Sequence, residues 1–453
     1  MAISCFKAYD IRGKVPEQLS EALAFDIARA FAAEIQPSKV VVGYDIRLES
    51  PGIAEAIREG LLSSGVDVLD IGLCGTEEIY FSTFHHELDG GIMVTASHNP
   101  KGYNGLKLVR EGSRPISGDT GLKSIERRVE DGDLGEPSVE RGTYTRNEDK
   151  TAYVDHLLTY VDADAWAPLS IVMNSGNGSA GAVIEQLVER LPCAATYVHL
   201  EPDGNFPNGV PNPLLVENRS STANTVREVG ADFGIAWDGD YDRCFFFDHE
   251  GNFIEGYYVV GLLADMMLQK HPGASIIHDP RLVWNTVDIV NRAGGTAIMS
   301  KTGHAFIKER MRKDDAIYGG EMSAHHYFKD FAYCDSGMIP WLLVAELICR
   351  SGKRLSELVE ARIEAFPCSG ERNYRVGDIP ATINRVLEHY ESQKPVLDRT
   401  DGLSLEFDQW RMSIRASNTE PLLRVNIETK GSQSLVESEL KEVEAIILAD
   451  VLN

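Results

Sequence analysis

Positive charge is what this chain has least of. Lys and Arg total 44 against 69 Asp and Glu over 453 residues, a formal net charge of −25. That balance argues against nucleic acid or an anionic membrane surface as a partner, because both recruit proteins through basic patches. Cysteine is also sparse, with seven residues (Cys5, Cys74, Cys193, Cys244, Cys334, Cys349, Cys368), scattered and without C-x-x-C spacing. An odd, dispersed set argues against a disulfide framework and suits a reduced cytoplasm. No apolar run approaches the roughly eighteen residues of a membrane span, and the N-terminus lacks a continuous signal-type apolar region. The length and the 43% hydrophobic content exceed what one core needs, and about 150 residues per domain suggests three or four domains.

A unit of buried strand, polar loop, amphipathic helix and second strand recurs along the chain. Val40 to Arg47 reads as strand and turn, Gly52 to Ser63 as helix and Val66 to Ile71 as strand. Ser170 to Asn174 leads through a Gly-rich turn to a helix near Ala180 to Arg190. The third copy runs from Ser275 to Arg281, with a helix near Val283 to Ala293 and a strand at Thr296 to Met299; the first and third share Asp-x-Arg-Leu, at Asp45 to Leu48 and Asp279 to Leu282. Alternating strands and helices imply βαβ crossovers and largely parallel sheets. From about Phe366 the pattern changes. Helices at Ala381 to Gln393 and Ser434 to Leu452 flank strands at Gly402 to Phe407, Trp410 to Arg415 and Leu422 to Thr429, which reads as an α+β domain. The expected domains are 1–142, 143–252, 253–365 and 366–453.

Four loops carry candidate chemistry. Thr95-Ala96-Ser97-His98-Asn99-Pro100 follows the apolar Ile92-Met93-Val94, and pairs a potential nucleophile with a potential proton carrier in a turn at a strand end. A solvated polar turn is the bland alternative. Asp238-Gly239-Asp240-Tyr241-Asp242-Arg243 follows another apolar run, and its three carboxylates suit Mg²⁺, with Arg243 placed to hold an anion on that metal. A calcium EF-hand is excluded, because its sixth position should be Gly but is Arg243 and its twelfth should be Glu but is His249. Gly320-Glu321-Met322-Ser323-Ala324-His325-His326 offers acceptors and a donor to sugar hydroxyls, although either histidine could be structural. Arg415-Ala416-Ser417-Asn418-Thr419-Glu420-Pro421-Leu422-Leu423-Arg424 combines Arg forks with hydroxyl and amide side chains, as a phosphate cradle would. The turn Asn174 to Gly178 resembles a phosphate loop but lacks its Lys, and is read as structural. A phosphosugar ligand in so acidic a protein needs a locally positive site, which Arg12, Lys107, Arg243, Arg415 and Arg424 form if they converge.

Taken in order, these four loops resemble the signature loops of the α-D-phosphohexomutase superfamily, end to end. The Gly-Glu-Met-Ser form, with FKAYDIRG, GTEEIYF, DGNFPNG and DFAYCDSGMIPW elsewhere, is most similar to the bacterial phosphomannomutases of GDP-mannose and surface polysaccharide synthesis. The resemblance implies three related α/β domains and a C-terminal α+β domain around a central cleft. It implies a resting phosphoserine at Ser97, Mg²⁺ held by Asp238, Asp240, Asp242 and the Ser97 group, and transfer through a hexose 1,6-bisphosphate that also serves as activator. His98 and Arg243 stand beside the serine; Lys107 and His304 are both candidates for general base; Tyr9 and Arg12 complete that shell. Arg415, Ser417, Asn418, Thr419 and Arg424 would grip the unreacting phosphate and Glu321 and Ser323 the sugar, with His325 and Arg281 bordering the pocket. The expected activity interconverts mannose 6-phosphate and mannose 1-phosphate in the cytoplasm, in a monomer or homodimer. A phosphoglucomutase or phosphoglucosamine mutase is the near alternative, and a Ser- and Mg²⁺-dependent phosphatase the distant one. Two residues depart from the common family pattern: Tyr241 stands where Gly is frequent and could narrow the approach to the metal, and Ala324 replaces the Gly before His325.

Overall fold

The computed structural model describes residues 3–417 and 422–449. The chain gathers into two compact units, one made of the chain up to Phe253 with His325–Leu355, the other of Ile254–Ala324 with the chain from Ser356 onward.

The first unit contains two mixed sheets. In one, Gly90–Val94 lies parallel to Lys39–Tyr44 and antiparallel to Tyr103–Arg110. In the other, Phe233–Trp237 lies parallel to Leu169–Asn174 and antiparallel to Cys244–Phe247. Each central strand is buried along its whole length, which is why it reads as an unbroken apolar run rather than an alternating one. Each ends in a loop that turns back as a hairpin. The Ser97 loop and the Asp238 loop therefore occupy equivalent positions, at the carboxyl ends of central strands, where open α/β sheets place their ligands. The antiparallel returns Tyr103–Arg110 and Cys244–Phe247 are what make these sheets mixed.

Helices cover the sheets by burying one face. Glu21–Ile35 is capped by Ser20, whose hydroxyl accepts from the Leu23 amide at 3.2 Å, and it buries Ala24, Ile27, Ala28 and Phe31, a helical i, i+3, i+4, i+7 stripe. Ser50–Ser63 starts on Pro51 and packs into the same core with Ile53, Ile57 and Leu61. The helix Gly181–Val188 and the strand Thr296–Met299 fall where the sequence pattern puts them.

In the second unit Ser275–His278 is flanked in parallel by Thr296–Met299 and Tyr318–Gly320. A separate five-stranded antiparallel sheet holds Leu403–Glu406, Trp410–Ala416 and Leu423–Thr429 side by side, with the helices Ile379–Tyr390 and Gln433–Leu448 on its core. Three α/β domains and an α+β domain are thus present, as the pattern of strands and helices implies. The seven cysteines are free thiols, and among the described residues no helix is long and apolar enough to cross a membrane.

Candidate active site

Ser97 sits in the left-handed region at φ +48°, a conformation a side chain with a Cβ adopts only when its surroundings impose it. Its amide donates to Thr95 Oγ1 at 2.8 Å, and its carbonyl accepts from Arg47 Nη2 at 2.8 Å. The same guanidinium donates to the carbonyls of Asn99 (2.6 Å), Pro100 (3.0 Å) and Tyr103 (3.0 Å). Arg47, itself 2% exposed, so fastens the whole loop. Asp45 completes the support, accepting from Thr95 Oγ1 at 2.7 Å and from the Arg47 amide at 3.0 Å. Gly239 of the carboxylate loop passes so close that a Cβ there would come within 2.8 Å of the Ser97 carbonyl oxygen.

Ser97 Oγ donates to Asp238 Oδ2 at 2.8 Å and lies 3.1 Å from His98 Nδ1. Arg243 reaches both partners, donating to Asp238 Oδ2 through Nε (2.8 Å) and Nη2 (2.6 Å) and to His98 Nδ1 through Nη2 (2.5 Å). A guanidinium can only donate, so His98 Nδ1 is an acceptor and the imidazole is neutral. Burial, then the Arg243 and Arg12 charges, hold its pKa well below the ordinary histidine value. Arg12 donates to Asn99 Oδ1 at 2.6 Å and pairs with Asp10 at 2.7 Å. Tyr9, nearby in sequence, is half-buried.

Asp238, Asp240 and Asp242 are at most 2% exposed. Their Oδ2 atoms are engaged, whereas the Oδ1 atom of each is buried without a hydrogen-bond partner among the described residues. Three buried carboxylates within 4.8 Å of one another, each aiming an unsatisfied oxygen, fit a hard cation such as Mg²⁺. Asp242 also belongs to a second group within that distance, with His325 and Asp335, in which His325 Nδ1 is 3.1 Å from Asp335 Oδ2. Lys107 Nζ bridges Asp240 Oδ2 (2.7 Å) and Asp242 Oδ2 (2.5 Å). Burial alone would strip its proton, but the two carboxylates outweigh burial and raise its pKa, so it is held as an ammonium. Asp240, for the same reason, is pulled below the carboxylate range, while burial and the Asp240 charge push Asp242 up.

Tyr241 leaves nothing at the surface to narrow an approach, contrary to the sequence reading. It is fully buried at φ +43°, its ring fills the place a Cβ on Gly75 would need, and its hydroxyl donates to Glu78 Oε1. Glu78 in turn accepts from the Gly75 amide at 3.1 Å and from Lys150 Nζ at 2.6 Å. Ala324 also has a left-handed backbone, at φ +70°. Both departures from the family pattern therefore stand where glycine would be free of steric cost.

The second unit holds the sugar-loop and cradle residues. Glu321, 1% exposed, accepts from the Gly303 amide at 3.1 Å, next to His304 at the first turn of the helix His304–Asp314. Arg281 donates to Ser323 Oγ at 3.1 Å and pairs with Asp279 at 2.7 Å, while Asp279 Oδ2 accepts from the Met322 amide at 2.8 Å. Asp279 and Arg281 so brace the sugar loop as Asp45 and Arg47 brace the serine loop. Arg415 and Arg424 lie directly opposite each other on paired strands, and the Ser417 amide donates to the Leu422 carbonyl at 2.8 Å. Asn418 and Thr419 lie outside the described residues. His326 is fully buried, so of the two adjacent histidines it is the structural one.

Sequence reasoning missed Arg47, Thr76, Glu78, Asp335 and Glu371. Thr76 Oγ1 donates to Asp240 Oδ2 at 2.6 Å and is 3.1 Å from Lys107 Nζ. Gly75-Thr76-Glu77-Glu78 has the form of a helix start, and the repeated Asp-x-Arg was visible, so two of these signals were available.

The chain matches the models of phosphoglucomutase/phosphomannomutase α/β/α domain I (residues 4–136), domain II (151–251), domain III (255–366) and the C-terminal domain (373–446). It is 58% identical over 444 residues to a phosphomannomutase of Escherichia coli K12, covering 96% of this chain and 97% of that one. It is also 58% identical over 449 residues to a protein of Xanthomonas campestris named for phosphohexose mutases, covering 99% and 100%. The solved structure of a phosphoglucomutase/phosphomannomutase family protein from Burkholderia thailandensis superposes with a TM-score of 0.88 at 30% identity, over 99% of this chain and 98% of that one. Four matching domain models in order, full-length relatives and a nucleophile loop set against a carboxylate loop agree: the chain belongs to the phosphoglucomutase/phosphomannomutase family and is a phosphohexomutase.

Proposed function

We propose that this phosphohexomutase is a phosphomannomutase, interconverting mannose 6-phosphate and mannose 1-phosphate through a phosphoserine at Ser97 and a hexose 1,6-bisphosphate. The observation that carries the proposal is the over-determined Ser97, strained at φ +48° and hydrogen-bonded at 2.8 Å to a carboxylate loop with unsatisfied oxygens. Relatives named phosphomannomutase support the choice of sugar.

In the first half-reaction a sugar hydroxyl gives its proton to the base and attacks phosphorus, the bond from phosphorus to Ser97 Oγ breaks, and the serine oxygen takes up a proton. In the second, Ser97 Oγ loses that proton and attacks the other phosphate of the bisphosphate, and the bond from that phosphorus to the sugar oxygen breaks as the oxygen is protonated. Asp238, Asp240 and Asp242, with the Ser97 group, would hold Mg²⁺, which when bound would supply positive charge to a phosphoryl group that gains charge in transfer. Arg243 holds the departing serine oxygen's surroundings cationic, and neutral His98 keeps an acceptor nitrogen toward it. Lys107 and His304 are the two candidates for the base, and Tyr9 and Arg12 line the same step. Glu321 and Ser323 hold sugar hydroxyls. Arg415, Ser417, Asn418, Thr419 and Arg424 hold the unreacting phosphate, and Arg281 and His325 border the pocket. The enzyme so proposed is cytoplasmic, which the free thiols suit, monomeric or homodimeric, and supplies GDP-mannose for surface polysaccharide.

The test is a coupled assay with Mg²⁺ and a trace of hexose 1,6-bisphosphate, comparing mannose 1-phosphate with glucose 1-phosphate for wild type and Ser97→Ala. Conversion that prefers mannose and is lost in the variant is expected. Release of inorganic phosphate without isomerisation, or activity indifferent to Ser97, would overturn the proposal.

A further inference from the structure

Three guanidiniums of the second unit share one carboxylate. Glu371 Oε1 is 3.2 Å from Arg424 Nη1, and its Oε2 is 3.4 Å from Arg415 Nη2 and 3.6 Å from Arg281 Nη1. The strand Arg372–Tyr374 fixes this placement by pairing antiparallel with Leu423–Thr429, so that Asn373 stands opposite Arg424. Like charges directly opposite on paired strands repel, and Arg415 and Arg424 are such a pair. Arg415 is also 5% exposed as a side chain, and burial, then the Arg281 charge, lowers its pKa. An anion between the guanidiniums relieves both costs, and Glu371 is that anion.

Its contacts differ from that of Asp279 with the same Arg281, and its side chain is more exposed than those of Glu321 (2%) and Asp401 (8%), which also stand at 3.5 Å or more from these guanidiniums. Asp279 meets Arg281 at 2.7 Å and is 2% exposed, the short, buried geometry of a permanent pair. Glu371 makes only longer contacts and is 21% exposed. Charge-assisted hydrogen bonds normally close to about 2.7–2.9 Å. A long-range, solvent-reachable carboxylate bound to three donors can leave them without unfolding its surroundings. We propose that Glu371 is an exchangeable occupant of the phosphate cradle, displaced when the unreacting phosphate of a phosphosugar binds and returning when it leaves. By returning to these cations, of which Arg281 and Arg415 are buried, as phosphate departs, it weakens binding and speeds release. A reaction in which the sugar must let go and present its other phosphate benefits from that loosened grip. The inference rests on the cradle reading of Arg415 and Arg424.

Isothermal titration of the full chain with inorganic phosphate and with mannose 6-phosphate tests it, using wild type, Glu371→Gln, Arg415→Ala and Arg424→Ala. Glu371→Gln is expected to tighten phosphate binding about three- to tenfold and to lower kcat by slowing release, while both Arg variants weaken binding. Unchanged or weaker binding in Glu371→Gln, with the Arg variants impaired, leaves the cradle standing and overturns the role of Glu371. Full binding in both Arg variants overturns the cradle reading itself. If Glu371→Gln fails to fold, Glu371→Asp, which keeps the charge but withdraws it from the guanidiniums, takes its place. It is expected to bind phosphate more tightly than wild type, and equal or weaker binding counts against the inference.

Discussion

Ser97 is a nucleophile held in a backbone conformation that costs a residue with a Cβ about 1–2 kcal/mol. Arg47 offsets that cost by fastening four carbonyls of the loop, two through each terminal nitrogen. A lysine has three donors at one point and cannot reproduce the planar fork. Arg47→Lys is therefore expected to lose about 2–3 kcal/mol of stability from unsatisfied buried carbonyls. More tellingly, kcat should fall about ten- to a hundredfold with KM within about twofold, because the serine, not the sugar, is displaced. Single-turnover labelling of Ser97 by hexose 1,6-bisphosphate measures this directly; a change in KM alone would assign Arg47 to the substrate side instead. Tyr241 illustrates the opposite trade. Tyr241→Gly would recover about 1 kcal/mol of left-handed strain but leave a cavity the size of a phenol ring and remove one of the two hydrogen bonds to Glu78 Oε1, costing about 3–5 kcal/mol. Chemical denaturation should thus find the variant with the family's commoner residue less stable than wild type. Equal stability would mean that the Tyr241–Glu78 contact contributes nothing.

At the level of elements, the strand His326–Phe328 is buried throughout and carries an imidazole whose pKa burial, then the neighbouring His325, push down to about 3 from 6.5. The folded value lies below the unfolded one, so the stability it contributes is complete above about pH 6.5 and erodes as pH falls toward 3. At pH 5 the loss attributable to this residue is about 2 kcal/mol. Urea midpoints at pH 7, 6 and 5 should show a shallower acid decline in His326→Gln than in wild type; parallel declines would put the acid sensitivity elsewhere. Such elements were legible in proportion to how local their causes are. The buried strand Phe233–Trp237 announces itself as a short apolar run, and Glu21–Ile35 has its stripe within the same fifteen residues and its cap just before them. The nucleophile and carboxylate loops were readable because each packs its chemistry into six residues. Arg47 and Glu371 were not, because what gives them meaning is fifty or more residues away along the chain: Arg47 reaches Ser97 and Glu371 reaches Arg424. Nor does any local pattern show that the chain passes from the second compact unit to the first between Ala324 and His325.

Across the whole molecule, the scarcity of positive charge acts on the substrate before any contact is made. A net charge of −25 repels a sugar phosphate at long range, while the guanidiniums of Arg281, Arg415 and Arg424 attract it only at close quarters, each already partnered by carboxylates. These two interactions respond differently to salt. The Debye length falls from about 30 Å at 0.01 M to about 8 Å at 0.15 M, so modest salt removes the long-range repulsion but screens partly buried charges much less. For mannose 1-phosphate, kcat/KM is therefore expected to rise about two- to fivefold between those ionic strengths, the reverse of an enzyme that steers its anionic substrate with a basic surface. Above about 0.5 M the trend should turn over, as the Debye length approaches the dimensions of the cradle and small anions compete for its guanidiniums. The measurement is a series of kcat/KM values in a salt whose anion binds weakly, repeated with a neutral osmolyte as control. A steady fall from the lowest salt would mean that the local field of the cradle extends beyond the repulsion of the whole, and that the acidic surface is electrostatically silent toward the substrate.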